Sequence, residues 1–156
     1  DATESLLVIL KNPSRATKDI SDKTVFTVTN YVHRNRNKYS AFKNIGTVII
    51  VNLIPFYETY ANQLGTLGVN IIDKQNQDTI TDLTSKHKSV IIAWGDHPKG
   101  LYKEYEHLKQ ATFDTLITNK NNVFYVDKLS KNGNPKHGQV WGYENELLSF
   151  NFDITK

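Results

Sequence analysis

Four short apolar runs recur along the chain, each bounded by polar or turn-forming residues. The second and third runs are continuous and rich in β-branched residues, which is typical of central strands that are covered on both faces of a sheet. The pattern therefore predicts four buried strands, at Ser5–Leu10, Thr47–Leu53, Ser89–Trp94 and Val123–Val126.

Between these runs, apolar residues recur at helical spacing, which predicts amphipathic helices. The predicted helices are Lys23–Val32, Asp73–Lys86 and Lys99–Thr118, and Asp73 is placed to cap the second of them. Strands and helices that alternate at these lengths predict an α/β fold with a mainly parallel sheet. The tail Tyr143–Lys156 contains LLSFNF and predicts either a terminal helix or an edge strand.

Length and composition fit one domain with a substantial core. The chain has 156 residues, of which 38% are hydrophobic, so we expect a single domain over residues 1–156. Lys and Arg number 19 against 16 Asp and Glu, and this small net charge of +3 permits a nucleic-acid partner without requiring one. The absence of Cys excludes disulfides, thiolate nucleophiles and cysteine-ligated zinc.

Targeting and metal signals are also absent from the sequence. No apolar run approaches the roughly 20 residues of a membrane-spanning helix, and the five His residues show no metal-ligand spacing. We therefore expect a soluble, cytoplasmic protein that uses no metal or other cofactor and does not bind membranes. Because the sequence starts with Asp and contains no Met, the true N-terminus is expected to lie outside it.

Polar and turn-forming residues follow each of the four predicted strands. In an open α/β sheet, ligands bind beyond the carboxyl ends of the strands, so these residues converge on one edge. The same composition is also ordinary for surface loops. The segments are Lys11–Arg15, Asn52–Tyr57, Gly95–Pro98 and Lys131–Gly138.

Three residues in these segments carry candidate chemistry. Asn52 is an amide inside the apolar run IIVNL, where it either caps a neighbouring loop or reads a ligand such as the edge of a pyrimidine. His137 either donates a hydrogen bond to a developing anion or is simply solvated. Asp96 either forms an acid/base pair with His97 or, as we favour, caps a helix that starts at Pro98.

The segment Tyr31–Lys43 is basic, contains aromatic residues and has no acidic residue. This composition suits phosphate contacts combined with base stacking. It also fits a solvated helix end, because Lys and Arg are favoured at helix C-termini. If the segment binds nucleic acid, the contact residues are Arg34, Arg36, Lys38 and Lys43.

Four motifs occur in order along nearly the whole chain, and they read LLVILKNPSRAT, VIIVNLIPFYET, VIIAWGDH and GNPKHG. They resemble the motifs of an uncharacterised bacterial and phage family, the domain-of-unknown-function family numbered sixteen forty-three. That family shows an NPSxA turn, a VNLF strand end, an AWG strand end and a GxPxHP loop.

The same landmarks resemble the uracil-DNA glycosylase superfamily. The resemblance implies a three-layer α/β/α sandwich around a short, four-stranded, mainly parallel sheet. It implies that Asn12 and Pro13 form the first motif, in which Asn12 positions water. It implies that Asn52 reads the base and His137 stabilises the departing base, while Trp141 stands near the residue that wedges into the duplex. Candidates to stack on the flipped base are Phe26, Phe56 and Tyr57.

Two departures from that superfamily bear on catalysis. The first motif lacks a carboxylate to stabilise the positive charge that builds up on the sugar. Asn12 is neutral, and the cations Lys11 and Arg15 flank it, which disfavours a developing cation. In the last motif, Gly138 replaces a Pro that would stiffen the loop.

The leading expectation is therefore a protein of uracil-DNA-glycosylase-like fold that lacks glycosylase activity. It would act as a DNA- or protein-binding module in DNA metabolism, and any DNA binding would be weak and salt-sensitive. The alternative is an active mismatch-type uracil-DNA glycosylase that cleaves the N-glycosidic bond of a flipped base. A third, less favoured reading is an enzyme that acts on a nucleotide or nucleoside at the same edge.

Overall fold

The computed structural model describes residues 3–12, 23–55 and 71–152. These residues form one sheet whose strands are β1 Glu4–Leu10, β2 Ile45–Asn52, β3 Ser89–Ile92, β4 Asn122–Val126 and β5 Leu147–Ser149. The strand order is β2-β1-β3-β4-β5. Strands β1 to β4 are parallel to one another, and β5 pairs with β4 in the antiparallel direction.

The three predicted helices are confirmed as α1 Lys23–Arg34, α2 Lys74–Lys86 and α3 Tyr102–Thr118. Asp73 caps α2 as predicted, because its carboxylate accepts a hydrogen bond from the backbone N–H of Asn76 at 2.9 Å. None of the helices in the described parts of the chain is long and apolar enough to cross a bilayer.

The predicted count of four strands is wrong, because the tail contributes a fifth. Leu148 lies opposite Tyr125 in the β4–β5 pair, and the N–H of Phe150 donates to the carbonyl of Val123 at 2.7 Å. Of the two structures predicted for the tail, the described part up to residue 152 therefore forms the edge strand. An added antiparallel strand satisfies the backbone groups that β4 would otherwise expose at the edge of the sheet.

Side chains of the central strand β1 alternate between two cores. Leu7 and Ile9 pack with residues of α2 and α3, whereas Leu6, Val8 and Leu10 pack with residues of α1. Helices therefore cover both faces of the sheet, which explains why the apolar runs of β1 and β3 are continuous rather than alternating.

The parallel strands bring the ends of β1, β2 and β3 to one side of the sheet, here called the carboxyl edge. Leu10 lies opposite Asn52 in the register of β1 and β2, and Ile9 lies opposite Ile92 in that of β1 and β3. The residues that follow these positions therefore emerge side by side, as the sequence predicts.

Candidate functional site at the carboxyl edge

Asn52 is the last residue of β2, and its side chain lies on the α1 face of the sheet. It pairs in register with Leu10, and alternate positions of β2, Val48 and Ile50, pack in the α1 core. The Oδ1 atom of Asn52 is buried and has no hydrogen-bond partner among the described residues. A buried acceptor without a donor is costly, and such a group in a folded protein calls for an explanation.

The backbone around Asn52 is, by contrast, fully engaged. Leu53 N–H donates to the carbonyl of Leu10 at 2.9 Å, and Ile54 N–H donates to that of Lys11 at 2.8 Å. The Nδ2 group of Asn76, in the first turn of α2, donates to the carbonyl of Asn52 at 2.8 Å and to that of Leu53 at 3.2 Å. The main chain that carries the Asn52 amide is therefore fixed between β1 and α2.

Asn12 lies two residues beyond the end of β1 and is half-buried. The pairing of Ile54 with Lys11 brings the chains that leave β1 and β2 together just before Asn12. The structure thus places Asn12 at the same edge as Asn52. The predicted site residues Pro13 and Phe56 lie outside the described residues.

The loop that carries His137 closes over the ends of β1 and β3. Gly95 N–H donates to the carbonyl of Pro135 at 3.0 Å, and Gly138 N–H donates to that of Ala93 at 3.3 Å. A Cβ atom on Gly138 would lie 2.7 Å from Val28 Cγ2, closer than real contacts allow. Glycine at 138 therefore lets the loop approach α1 closely. The loop is held in place by this packing and not by a Pro residue at position 138.

The imidazole of His137 has a defined hydrogen-bond arrangement. Its Nδ1 accepts a hydrogen bond from the backbone N–H of Gln139 at 3.1 Å. In the neutral ring, this assignment places the proton on Nε2 and makes Nε2 the donor. His137 also lies against Gly95, since a Cβ atom there would be 3.1 Å from His137 Cβ. The structure therefore brings His137 to the carboxyl edge beside the end of β3.

Trp141 is not placed as a wedge. It is 5% exposed, its Nε1 donates to the carbonyl of Lys136 at 3.1 Å, and its ring centroid is 5.1 Å from that of Tyr31. A residue that penetrates a duplex must present an apolar tip to solvent, so the expected substrate contact of Trp141 does not fit this conformation. Among the described residues, Val140 of this loop is 60% exposed and Phe26 of α1 is 57% exposed.

Asp96 does not cap a helix, contrary to the favoured prediction, because α3 begins only at Tyr102. Its Oδ1 accepts hydrogen bonds from Ser130 Oγ at 2.6 Å and Asn134 Nδ2 at 2.9 Å. These donors, Ser130 foremost, hold the pKa of Asp96 below its ordinary value. Asn134 is buried, and its own Oδ1 accepts from Lys109 Nζ at 2.7 Å. Sequence reasoning missed this network because no local signal links residues 96, 109 and 134.

The predicted nucleic-acid residues lie at the other end of α1. Gly138 lies against Thr24 and Val28 in the first two turns of α1, whereas Arg34 is the last residue of the helix, about 9–15 Å further along its axis. The Arg34 guanidinium lies 4.3 Å from the ring centroid of Tyr143, and Lys38 Nζ lies 5.3 Å from that of Tyr39. The structure therefore does not bring Arg34, Arg36, Lys38 and Lys43 together with the carboxyl edge.

A cavity of about 530 Å³ lies at the opposite, amino edge of the sheet. Its basic groups have a structural explanation, because Lys and His are favourable beside helix C-termini and Lys86 ends α2. Lys86 also pairs with Asp82 at 3.0 Å. The carboxyl edge is the candidate site because the buried Oδ1 of Asn52 lies there together with Asn12 and His137. The residues that line the cavity include Glu4, Ser5, Lys86, His87, Lys88 and Ser89.

Comparison with known proteins assigns the chain to a family. A family model described as "Protein of unknown function (DUF1643)" matches residues 1–138. The chain belongs to this family. The match contains the carboxyl-edge residues Asn12, Asn52, Asp96 and His137 and ends before β5. No curated protein and no solved structure matches the chain.

Membership in the family leaves the chemistry of the site to be argued from its residues. Within the described residues, no group of three or more His, Asp or Glu side chains is arranged to hold a metal ion. What the described site offers is an amide with an unsatisfied acceptor, a histidine with a defined donor, and a lysine and a carboxylate at the ends of neighbouring strands. These groups suit recognition of a planar ligand that carries both donors and acceptors.

Proposed function

We propose that this protein has a uracil-DNA-glycosylase-like fold of three layers and binds DNA, with an unpaired pyrimidine held at the carboxyl edge, without excising the base. The mainly parallel sheet with helices on both faces supports the fold. The order of the four motifs along the chain supports the placement of the site. β5 would be an addition at the edge of the four-stranded sheet expected for that fold.

The observation that carries the proposal is the buried Oδ1 of Asn52, which lacks a donor among the described residues. Uracil and thymine present an N3–H donor flanked by two carbonyl acceptors. An Asn amide matches two adjacent groups of that edge, since Oδ1 accepts from N3–H while Nδ2 donates to a carbonyl. A bound base would thereby supply the donor that the buried Oδ1 of Asn52 lacks among the described residues.

Charges at the site favour binding over excision. Cleavage of the N-glycosidic bond builds positive charge on the sugar, which requires a nearby negative group. Asn12 is neutral, and the adjacent Lys11 is cationic. The carboxylate of Asp96 is held by Ser130 and Asn134 on the neighbouring loop. An Asn residue and a Lys residue at this position can hold a nucleotide, but they do not stabilise an oxocarbenium ion.

The test uses fluorescein-labelled single-stranded oligonucleotides that contain one uracil. We expect the unchanged protein to bind this DNA and Asn52→Ala to bind it more weakly. We also expect no strand cleavage when the incubated DNA is treated with alkali, which breaks DNA at abasic sites. Abasic sites formed at enzyme-like rates and lost in Asn12→Ala would overturn the proposal. A lack of binding to any nucleic acid would also overturn it, and a protein partner in DNA metabolism would then be the object to seek.

The second candidate function is an active mismatch-type glycosylase, and the geometry of His137 favours it. The imidazole of His137, at the carboxyl edge beside the end of β3, would donate a hydrogen bond to the base anion as it departs. Asn12 would then orient the attacking water. Excision that is abolished in both Asn12→Ala and His137→Ala, but retained in the exposed control Gln139→Ala, is the result that distinguishes this candidate from the first.

A further inference from the structure

Lys11 is the first residue beyond β1, a central strand of the sheet. Its carbonyl is anchored by Ile54 N–H, so its backbone position is fixed, and the residue is half-buried. Within the described parts of the chain, its ammonium group has no hydrogen-bond acceptor and no carboxylate at ion-pair distance. A partly buried amine held in this way, with no partner to occupy it, is unusual for a residue with only a structural role.

The electrostatic surroundings of Lys11 make its ammonium group easier to deprotonate than that of a lysine in water. Burial lowers its pKa below the ordinary value, and the charge of Asp96 opposes this effect only in part. Asp96 follows β3, the neighbour of β1, and is held on its own loop by Ser130 and Asn134. The nearby carboxylate is thus tied by other donors and does not form an ion pair with the amine.

We propose that Lys11 is a nucleophile that forms an imine with the ring-opened aldehyde of an abasic deoxyribose in DNA. The inference rests on the proposed function, because it requires that DNA reach the carboxyl edge. It goes beyond that function by assigning a covalent step and a substrate class, the abasic site. Lys is the residue that forms Schiff bases with carbonyl substrates, and desolvation is one of the ways in which its amine is activated.

The step balances without any co-reactant. The Lys11 ammonium first loses its proton to solvent, and the neutral Nζ attacks C1′ of the aldehyde to form a C–N bond. Nitrogen then loses its remaining hydrogens and the former carbonyl oxygen leaves as water, which gives the imine. No oxidant, reductant or metal is needed, and the reaction is reversible by hydrolysis.

Lys11 explains both why the site opposes excision of an intact base and why it suits a sugar that has lost its base. A cation beside Asn12 opposes excision of an intact base, because it repels charge that develops on the sugar. An amine at the same place is well suited to a sugar whose base is already gone, since the electrophile is then an aldehyde. The site would therefore hold a damaged nucleotide rather than create one.

The experiment incubates the intact protein with a labelled oligonucleotide that contains one abasic site and then adds sodium borohydride. Borohydride reduces an imine to a stable secondary amine, so we expect a covalent adduct that maps by mass spectrometry to Lys11. Lys11→Arg is the main variant because it keeps the charge but cannot form an imine. We expect this variant to yield no adduct with the abasic oligonucleotide.

Lys131→Ala is the matched control, because Lys131 is an exposed lysine in the loop that follows β4. We expect its adduct yield to equal that of the unchanged protein. An adduct that persists in Lys11→Arg, or binding of abasic DNA without any adduct, would overturn this inference and leave the proposed function standing. Failure to bind any DNA would overturn both.

Discussion

Two asparagines that meet at the end of β2 should respond to the same substitution with opposite signs. Asn52 places a buried Oδ1 where no described residue donates to it. Asn76 is half-buried and donates through Nδ2 to two carbonyls, those of Asn52 and Leu53. Leu resembles Asn in shape but has no polar atoms, so each replacement removes one amide and little else.

The expected changes in the free energy of unfolding follow from the hydrogen bonds that each amide makes or lacks. An unsatisfied buried polar group costs about 1–3 kcal/mol. Because Asn52 is only half-buried as a residue, we expect Asn52→Leu to recover the lower end of that range and raise the free energy of unfolding by about 1 kcal/mol. Asn76→Leu leaves two carbonyls without that donor and should lower the free energy of unfolding by about 1–3 kcal/mol.

Urea denaturation monitored by the fluorescence of Trp94 and Trp141 measures both effects, since both indoles are buried. For a chain of this length, each kcal/mol corresponds to about 2–4 °C in the melting temperature. Asn52→Leu should also lose the preference for uracil over N3-methyluracil. Such a gain in stability with a loss of binding is expected where a residue is kept for function rather than for stability. If Asn52→Leu lowers stability as Asn76→Leu does, Asn52 Oδ1 has a stabilising partner in the folded protein, contrary to what the described residues show.

Three further predictions concern the loop that carries His137, the carboxyl edge and the basic segment. Gly138→Ala should destabilise the fold by about 1–3 kcal/mol, because its Cβ would lie 2.7 Å from Val28 Cγ2. Removal of that neighbour in Gly138→Ala/Val28→Ala should cost less than the two single changes added together, and additive costs in denaturation experiments would contradict this. The lowered pKa of Asp96 means that its contribution to stability is present above its ordinary value of 3.8 and is lost as pH falls through the folded value. Asp96→Asn should therefore flatten the acid limb of a plot of stability against pH, and an unchanged limb would exclude this role. If DNA contacts the basic segment, loss of charge at Arg36 or Lys38 should each reduce the slope of log Kd against log salt concentration by about 1. An unchanged slope would show that this segment makes no phosphate contact.

The elements of the fold could be predicted from the sequence because each depends on local spacing. The buried runs of β1 and β3 and the helical stripe of α3 each carry their period within one segment. Their ends were less predictable, since β3 stops at Ile92 and α3 begins at Tyr102. β5 has only three residues, and it forms because β4 offers it an edge, which is not a property of its own sequence.

Site residues whose placement depends on their position along a strand could be predicted from the sequence. Contacts between residues that are far apart in the sequence could not. Asn52 stands out as an amide in an apolar run, and strand direction alone places it at the same edge of the sheet as Asn12. The bridge from Lys109 through Asn134 to Asp96 joins a helix to two loops, and no spacing signals it. By its position in the last motif, Trp141 corresponds to a place near the wedge residue. Its packing on Tyr31, however, depends on tertiary contacts that the motif does not encode.

Base recognition by Asn52 is tested most directly with oligonucleotides that contain either uracil or N3-methyluracil at one unpaired position. Methylation removes the N3–H that Asn52 Oδ1 is proposed to accept and changes little else. We expect the unchanged protein to bind the uracil oligonucleotide more tightly, Asn52→Leu to bind both equally, and neither base to be excised. Equal binding of both oligonucleotides by the unchanged protein, or release of the base, would contradict this expectation.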